Sequence, residues 1–152
     1  MNERMKEKSD MDIKIKTVEN KKEFDQVLRL RYRVFVEEQG VPVELERDDK
    51  DEEAVHVIAE IDNQTVGCGR IVFTEGKAKI GRLAVDKNWR QQGIGSKICL
   101  SLINIARTQG YDKVILHAQL DSVEFYKRLG FATVSDIFEE AGIDHIKMEY
   151  SL

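Results

Sequence analysis

Apolar positions along the chain change period several times, and each change predicts an element. From Asp12 to Val18 the residues Ile13, Ile15 and Val18 suit a short strand, after which Phe24, Val27, Leu28 and Arg31 take up helical spacing. A second helical piece follows over Arg31–Gln39, halted by Gly40 and by Pro42, the one proline in the chain. Val55–Ile61 and Thr65–Phe73 read as strands around Asp62-Asn63-Gln64, and Lys77–Val85 as a third after Glu75-Gly76, which together predict an antiparallel meander. Ile94, Ile98, Leu102 and Ile105 share one face of a helix over Ile94–Thr108 that ends at Gly110. Lys113–Gln119 is a further strand. Asp121-Ser122-Val123-Glu124 has the form of a capping box opening a helix over Ser122–Leu129, closed by Gly130. Ala132–Phe138 and Asp144–Tyr150 flank Glu140-Ala141-Gly142 as a hairpin. Strands alternating with helices around a central sheet predict a layered α/β domain, with a right-handed crossover from Ile80 to Gln119.

Two stretches fall outside this periodicity. Residues 1–11 are polar and aperiodic and read as a flexible tail, leaving residues 12–152 as one domain. Glu44–Glu53 carries seven carboxylates against Arg47 and Lys50 and reads as a solvated loop. It also invites a cationic substrate such as a polyamine, an aminoglycoside or a peptide amine.

The junction between Val85 and Ile94 bears the most specific chemistry. Arg90-Gln91-Gln92-Gly93-Ile94-Gly95-Ser96 joins a strand to a helix N-terminus, where unpaired N–H groups and the helix dipole favour an anion and glycine permits its close approach. Arg90 adds a charged fork for a diphosphate. A Walker loop is excluded because Gly95 is followed by Ser96-Lys97 rather than Lys-Ser/Thr. A dinucleotide fingerprint fails at Ile98, where close helix packing requires Gly or Ala.

Composition narrows the class. A chain of 152 residues with 41% hydrophobic content supports one core, and a formal charge of −4 with Lys and Glu intermixed argues against nucleic acid. The apolar runs are too short for a membrane span and the N-terminus is charged, so the expected location is cytoplasmic. Cys68 and Cys99 are expected as reduced buried thiols, and the dispersed histidines suggest no metal site. A homodimer through an exposed strand edge or the C-terminal hairpin is compatible with the pattern but not required by it.

The Arg-x-x-Gly-x-Gly spacing of Arg90–Gly95 resembles the coenzyme A loop of the GCN5-related N-acetyltransferase (GNAT) superfamily. Phe125-Tyr126-x-x-x-Gly130-Phe131 resembles its late helix. From about Met11 onward the chain is similar to the ElaA/YjcF branch, through Leu30-Arg31, Val34-Phe35-Val36, Glu38-Gln39, Asp48/Asp51/His56, Ile80-Gly81-Arg82, Ala118-Gln119 and Gly142-Ile143 with His145. Asp144 stands where that branch usually has proline, and Gln119 where many superfamily members have asparagine. The resemblance implies the acyl-CoA N-acyltransferase fold, a mostly antiparallel twisted sheet of about seven strands flanked by helices. It also implies transfer of acetyl from acetyl-CoA to a primary amine of a small molecule or peptide.

On that resemblance, Arg90, Gln91, Gln92, Gly93, Ile94, Gly95 and Ser96 hold the diphosphate. The backbone of Leu83, Ala84 and Val85 pairs with pantetheine, Gln119 lies beside it, and Tyr126 is the general acid. Helix spacing alone would leave Tyr126 merely packed against Val123. The base is left open among Glu37, Glu38, His56, His117 and His145, with His145 and Glu38 the leading candidates. His56 and His117 also suit purely structural roles. Arg31, Glu37 and His56 are candidate acceptor contacts, although Arg31 equally suits capping of the acidic loop. A coenzyme A-binding sensor without turnover is the alternative function.

Overall fold

The computed structural model describes residues 12–152, so the tail expected over residues 1–11 lies outside the described residues. Eight strands form one sheet in the order β1-β2-β3-β4-β5-β8-β6, with β7 paired to β8. They are β1 (Lys14–Thr17), β2 (Val55–Ile61), β3 (Gln64–Thr74), β4 (Lys77–Val85), β5 (Lys113–Gln119), β6 (Ala132–Thr133), β7 (Phe138–Glu140) and β8 (Ile143–Ser151). The helices are α1 (Lys21–Arg31), α2 (Val43–Glu46), α3 (Ile94–Thr108) and α4 (Val123–Leu129), and a π-helical segment, Tyr32–Glu38, continues α1. The meander β2-β3-β4 is antiparallel as expected, and β4 and β5 are the parallel pair.

Three layers result. On one face of the sheet α3 buries Ile94, Ile98, Leu102 and Ile103 against Val57, Ala59, Ile71 and Ile80. Gly67 and Gly69 allow this closeness. A Cβ on Gly67 would lie 2.8 Å from Ile98 Cδ1, and one on Gly69 2.9 Å from Leu102 Cδ1. On the other face Val27, Leu30 and Val34 pack over Ile58, Cys68 and Ala84. Asn20 caps α1, its side chain accepting the Glu23 N–H at 2.9 Å.

Two irregularities open the sheet. Between Cys68 and Arg70 the register on β4 runs from Ala84 to Gly81, so β4 holds one extra residue. Arg82 takes φ +54° within this bulge. The bulge switches faces, since Ala78 and Ile80 lie in the α3 core before it and Leu83 and Val85 pack there after it. Pairing of β4 with β5 covers only Ala78–Ile80 against Val114–Leu116. Beyond Ile80 the two strands part, leaving that edge of Gly81–Val85 without a partner strand.

Three expectations are corrected locally. Ala132–Phe138 is not one strand but two short ones separated by residues 134–137. The capping box of Asp121 with Glu124 does not form, because Asp121 lies inside a 3-10 turn over Leu120–Ser122 that leads into α4, whose cap residue Ser122 makes no side-chain cap. The Glu44–Glu53 run is solvated only in part, with Glu44, Asp49, Glu52 and Glu53 exposed, and it is not a simple loop. It folds into α2 and a 3-10 turn, and Glu46 is only 4% exposed.

Candidate active site

The parting of β4 and β5 creates a cleft of about 600 Å³ on the sheet face opposite α3. Its floor carries Arg70, Val72, Lys79, Ile115, His117 and Gln119, its walls Phe35, Gln39 and Leu45 on one side and Glu140, Ile143 and His145 on the other, with Tyr126 also in the lining.

At the open end of β4 the chain turns through Gln91 at φ +63° and Gly93 at φ +80° into α3. Gly93 makes no side-chain cap, and the first intrahelical bond closes at Lys97 N–H to the Gly93 carbonyl. The N–H groups of Ile94, Gly95 and Ser96 therefore lie in the first turn, where a helix has no partners for them. A left-handed turn before a helix is a geometry suited to an anion. A Cβ on Gly93 meets nothing within 4 Å, so its glycine answers to φ; one on Gly95 would touch Phe125 at 3.4 Å. Arg90 is half exposed and already engaged. Its Nε donates to the Val85 carbonyl at 2.9 Å, while Nη1 and Nη2 donate to Glu38 at 3.1 and 2.8 Å. Two of its five N–H donors remain for an anion.

The π-helical segment is tied across the cleft mouth at two points, the Glu38–Arg90 pair and a 2.7 Å bond from Gln119 Nε2 to Gln39 Oε1. Glu38 and Glu37 are both exposed and neither lines the cleft, so the structure does not place either carboxylate as a base there. Gln119, in register with His145, does line it.

His145 is buried, and its Nδ1 lies 2.7 Å from the Ile143 carbonyl. A carbonyl only accepts, so Nδ1 carries the proton and the neutral ring has a free lone pair on Nε2. His117 Nδ1 lies 2.8 Å from Glu140 Oε2. That bond holds the Glu140 carboxyl down to about 2. Phe138 meets His117 edge-on and stacks on His145, so the two imidazoles flank one aromatic ring. Tyr126 is 9% exposed, with Phe125 and Phe131 edge-on to it, and burial pushes its phenol up.

His56 stands apart from the cleft. Its Nε2 meets the Asp51 carbonyl at 2.9 Å, Phe24 packs edge-on to its ring, and burial lowers its pKa. Arg31 is 0% exposed. It donates to Glu46 at 2.6 Å and to Asp51 at 2.7 Å, so the acceptor-contact role is corrected to the bracing role for the acidic segment. Arg70 adds bonds of 2.7 Å to Asp48 and to Asp51, and Arg82 pairs with Glu46 and Asp48 at 3.2 and 3.3 Å. The sequence reading missed Arg70, Arg82, Glu46, Lys79 and Glu140. The signal available was an arginine inside each of two apolar strands, Arg70 and Arg82, where a buried cation requires a partner. Among the described residues no group of three or more His, Cys, Asp or Glu is placed to hold a metal.

Residues 15–152 match the profile of the Acetyltransferase (GNAT) domain. The chain is 35% identical over 130 residues to the uncharacterized N-acetyltransferase YjcF of Bacillus subtilis, covering 85% of this chain and 93% of that protein. An acyl-CoA N-acyltransferase from Pseudomonas aeruginosa superposes with a TM-score of 0.81 at 31% identity, over 93% of this chain and 99% of the other. ElaA of Escherichia coli superposes at 0.83 with 25% identity, over 92% and 100%. The chain belongs to the GNAT acetyltransferase family and is an acyltransferase.

Proposed function

We propose that the protein transfers acetyl from acetyl-CoA to an amine by direct attack. The observation that carries this is the continuity of one groove, from the left-handed Gln91–Gly93 turn, along the unpaired edge of Leu83–Val85, into a cleft lined by Tyr126 and His145. Amide groups of Ile94–Ser96 hold the diphosphate, and Arg90 contributes its remaining donors. The open edge of Leu83, Ala84 and Val85 pairs with pantetheine as an added strand would.

The chemistry follows from the groups in the cleft. An alkyl ammonium, ordinarily near about 10.4, gives its proton to His145 Nε2. The freed nitrogen lone pair attacks the thioester carbonyl. As the C–N bond forms and the C–S bond breaks, the departing sulfur takes the Tyr126 proton, and an N–H of the β4 edge stabilises the developing oxyanion. Burial raises the phenol, which keeps Tyr126 protonated before the reaction and makes its proton transfer to the departing sulfur depend on close approach rather than on acidity. Fold relatives include a GNAT acetyltransferase with acetyl-CoA bound and an aminoglycoside 6'-N-acetyltransferase complexed with coenzyme A. The test is thiol release from acetyl-CoA across a panel of amines. Turnover by wild type and its loss in Tyr126→Phe supports the reading; acetyl-CoA binding without thiol release from any amine favours the sensor.

A further inference from the structure

Charge accounting inside the cleft leaves one group without a counterpart. The carboxylates that the acidic segment brings to the cleft are paired, since Glu46, Asp48 and the neighbouring Asp51 face Arg31, Arg70 and Arg82, while Glu44, Asp49 and Glu52 lie exposed outside it. Glu140 is bonded to His117 and Lys50 to Glu53. Glu75 and Lys77 stand exposed at the β3–β4 turn. Lys79 differs from both. It is half-buried on the cleft floor and forms no ion pair among the described residues. Burial lowers its pKa, and the nearby Glu140 charge opposes that only in part.

Its position fits the acceptor rather than the cofactor. Lys79 pairs in register with Val72 and Ile115, one residue before β4 and β5 part, and His117 lies two residues further along β5 on the same face. The diphosphate turn begins beyond Val85, six residues along β4 and about 20 Å away at the rise of an extended strand. A second anion would therefore meet Lys79 where β4 and β5 are still paired, on the strand face that also carries His117.

We infer that the acceptor amine carries an anionic group, a carboxylate or a phosphate, which the Lys79 ammonium binds at the floor of the cleft. This rests on the acetyl-transfer reading and selects within it. Polyamines and aminoglycosides, the cationic acceptors suggested by the acidic run, are disfavoured within the cleft because the carboxylates of that run that line it, Glu46 and Asp48, are already paired. A half-buried ammonium without a carboxylate partner bears a desolvation penalty, and an incoming anion relieves it.

The experiment measures thiol release from acetyl-CoA with matched amines: L-amino acids against their decarboxylated amines, and phosphoethanolamine against ethanolamine. Wild type, Lys79→Met and Lys79→Arg are compared, with carboxylate and phosphate members separating the two anion sources. The expected result is preference for one anionic class, a KM for that class at least about 10-fold higher in Lys79→Met, retention of most affinity in Lys79→Arg, and an unchanged KM for acetyl-CoA. In parallel, the Lys79 ammonium resonance is titrated with acetate and with inorganic phosphate, which needs no known acceptor and is expected to shift with one of them. Equal use of charged and uncharged amines by wild type and Lys79→Met overturns the proposal. So does a uniform kcat loss in both variants, which would assign Lys79 to proton transfer, or an ammonium resonance indifferent to both anions. Failure of acetyl-CoA to bind wild type would instead remove the transferase reading itself.

Discussion

Replacing Arg31 by methionine tests the buried ionic network that shapes one wall of the cleft. The guanidinium makes bonds of 2.6 and 3.0 Å to Glu46 and of 2.7 and 3.1 Å to Asp51, from a fully buried site. Its removal strands two carboxylates, and breaking a buried pair costs about 3–5 kcal/mol. The low end applies, because Asp51 keeps Arg70 at 2.7 Å and Glu46 keeps Arg82 at 3.2 Å. A loss of about 3 kcal/mol is expected in urea unfolding at pH 7, or roughly 6–12 °C in Tm for a domain of this size. The sign with pH is determined. Bonds from Arg31 and Arg70 outweigh burial to lower Asp51, and the bond from Arg70 holds Asp48 at about 2. Depressed carboxylates stabilise the fold above their unfolded values, near about 4, and lose that contribution as pH falls through the folded ones. The Arg31→Met deficit is therefore largest at neutral pH and shrinks as pH falls below about 4 and Asp51 protonates. A deficit below about 1 kcal/mol at pH 7, or one constant down to pH 3, would refute the network's stabilising role.

Three further outcomes are expected. Tyr126→Phe lowers kcat by about 100-fold with little change in the KM for acetyl-CoA, measured by steady-state thiol release; undiminished activity excludes Tyr126 as the proton donor. The Glu140 carboxyl, held down to about 2 by its bond to His117, should titrate well below the usual carboxylate range by NMR and move up in His117→Ala; an unmoved Glu140 would contradict the 2.8 Å pair. Burial pushes the Cys68 and Cys99 thiols up to about 12. Both should resist a disulfide reagent in the native protein and react only on unfolding, so rapid native labelling of either would contradict the packing.

The parts of the fold governed by local pattern were legible in the chain. Alternating apolar residues located β2 to β5, and Gly93 with the 94, 98, 102, 105 stripe placed α3 and the turn that precedes it. The parts governed by partners distant in sequence were not. Glu46 and Asp51 look solvated in the acidic run because the arginines that bury them come from α1, β3 and β4, as many as 36 residues away. The same blindness let His56 resemble a candidate base, when its ring is held by a backbone carbonyl five residues earlier in the chain. The β4 bulge carries no strong residue signal, since Arg82 is not a residue that favours φ +54°. Only the strand register reveals the extra residue, and with it the parting of β4 from β5 that makes the cleft. Lys79 was likewise invisible, because a lysine in a strand beside Lys77 looks exposed until the walls of the cleft half-bury it.

The central claim is that the Gln91–Ser96 turn holds the diphosphate of acetyl-CoA. Isothermal titration of acetyl-CoA into wild type and Gly93→Glu tests it most directly, because the substitution forces a side chain onto φ +80° and sets a carboxylate at the anion site. Binding by wild type that weakens at least about 10-fold in a variant still folded by circular dichroism is the expected result. Equal binding by both proteins, or none by wild type, would contradict it.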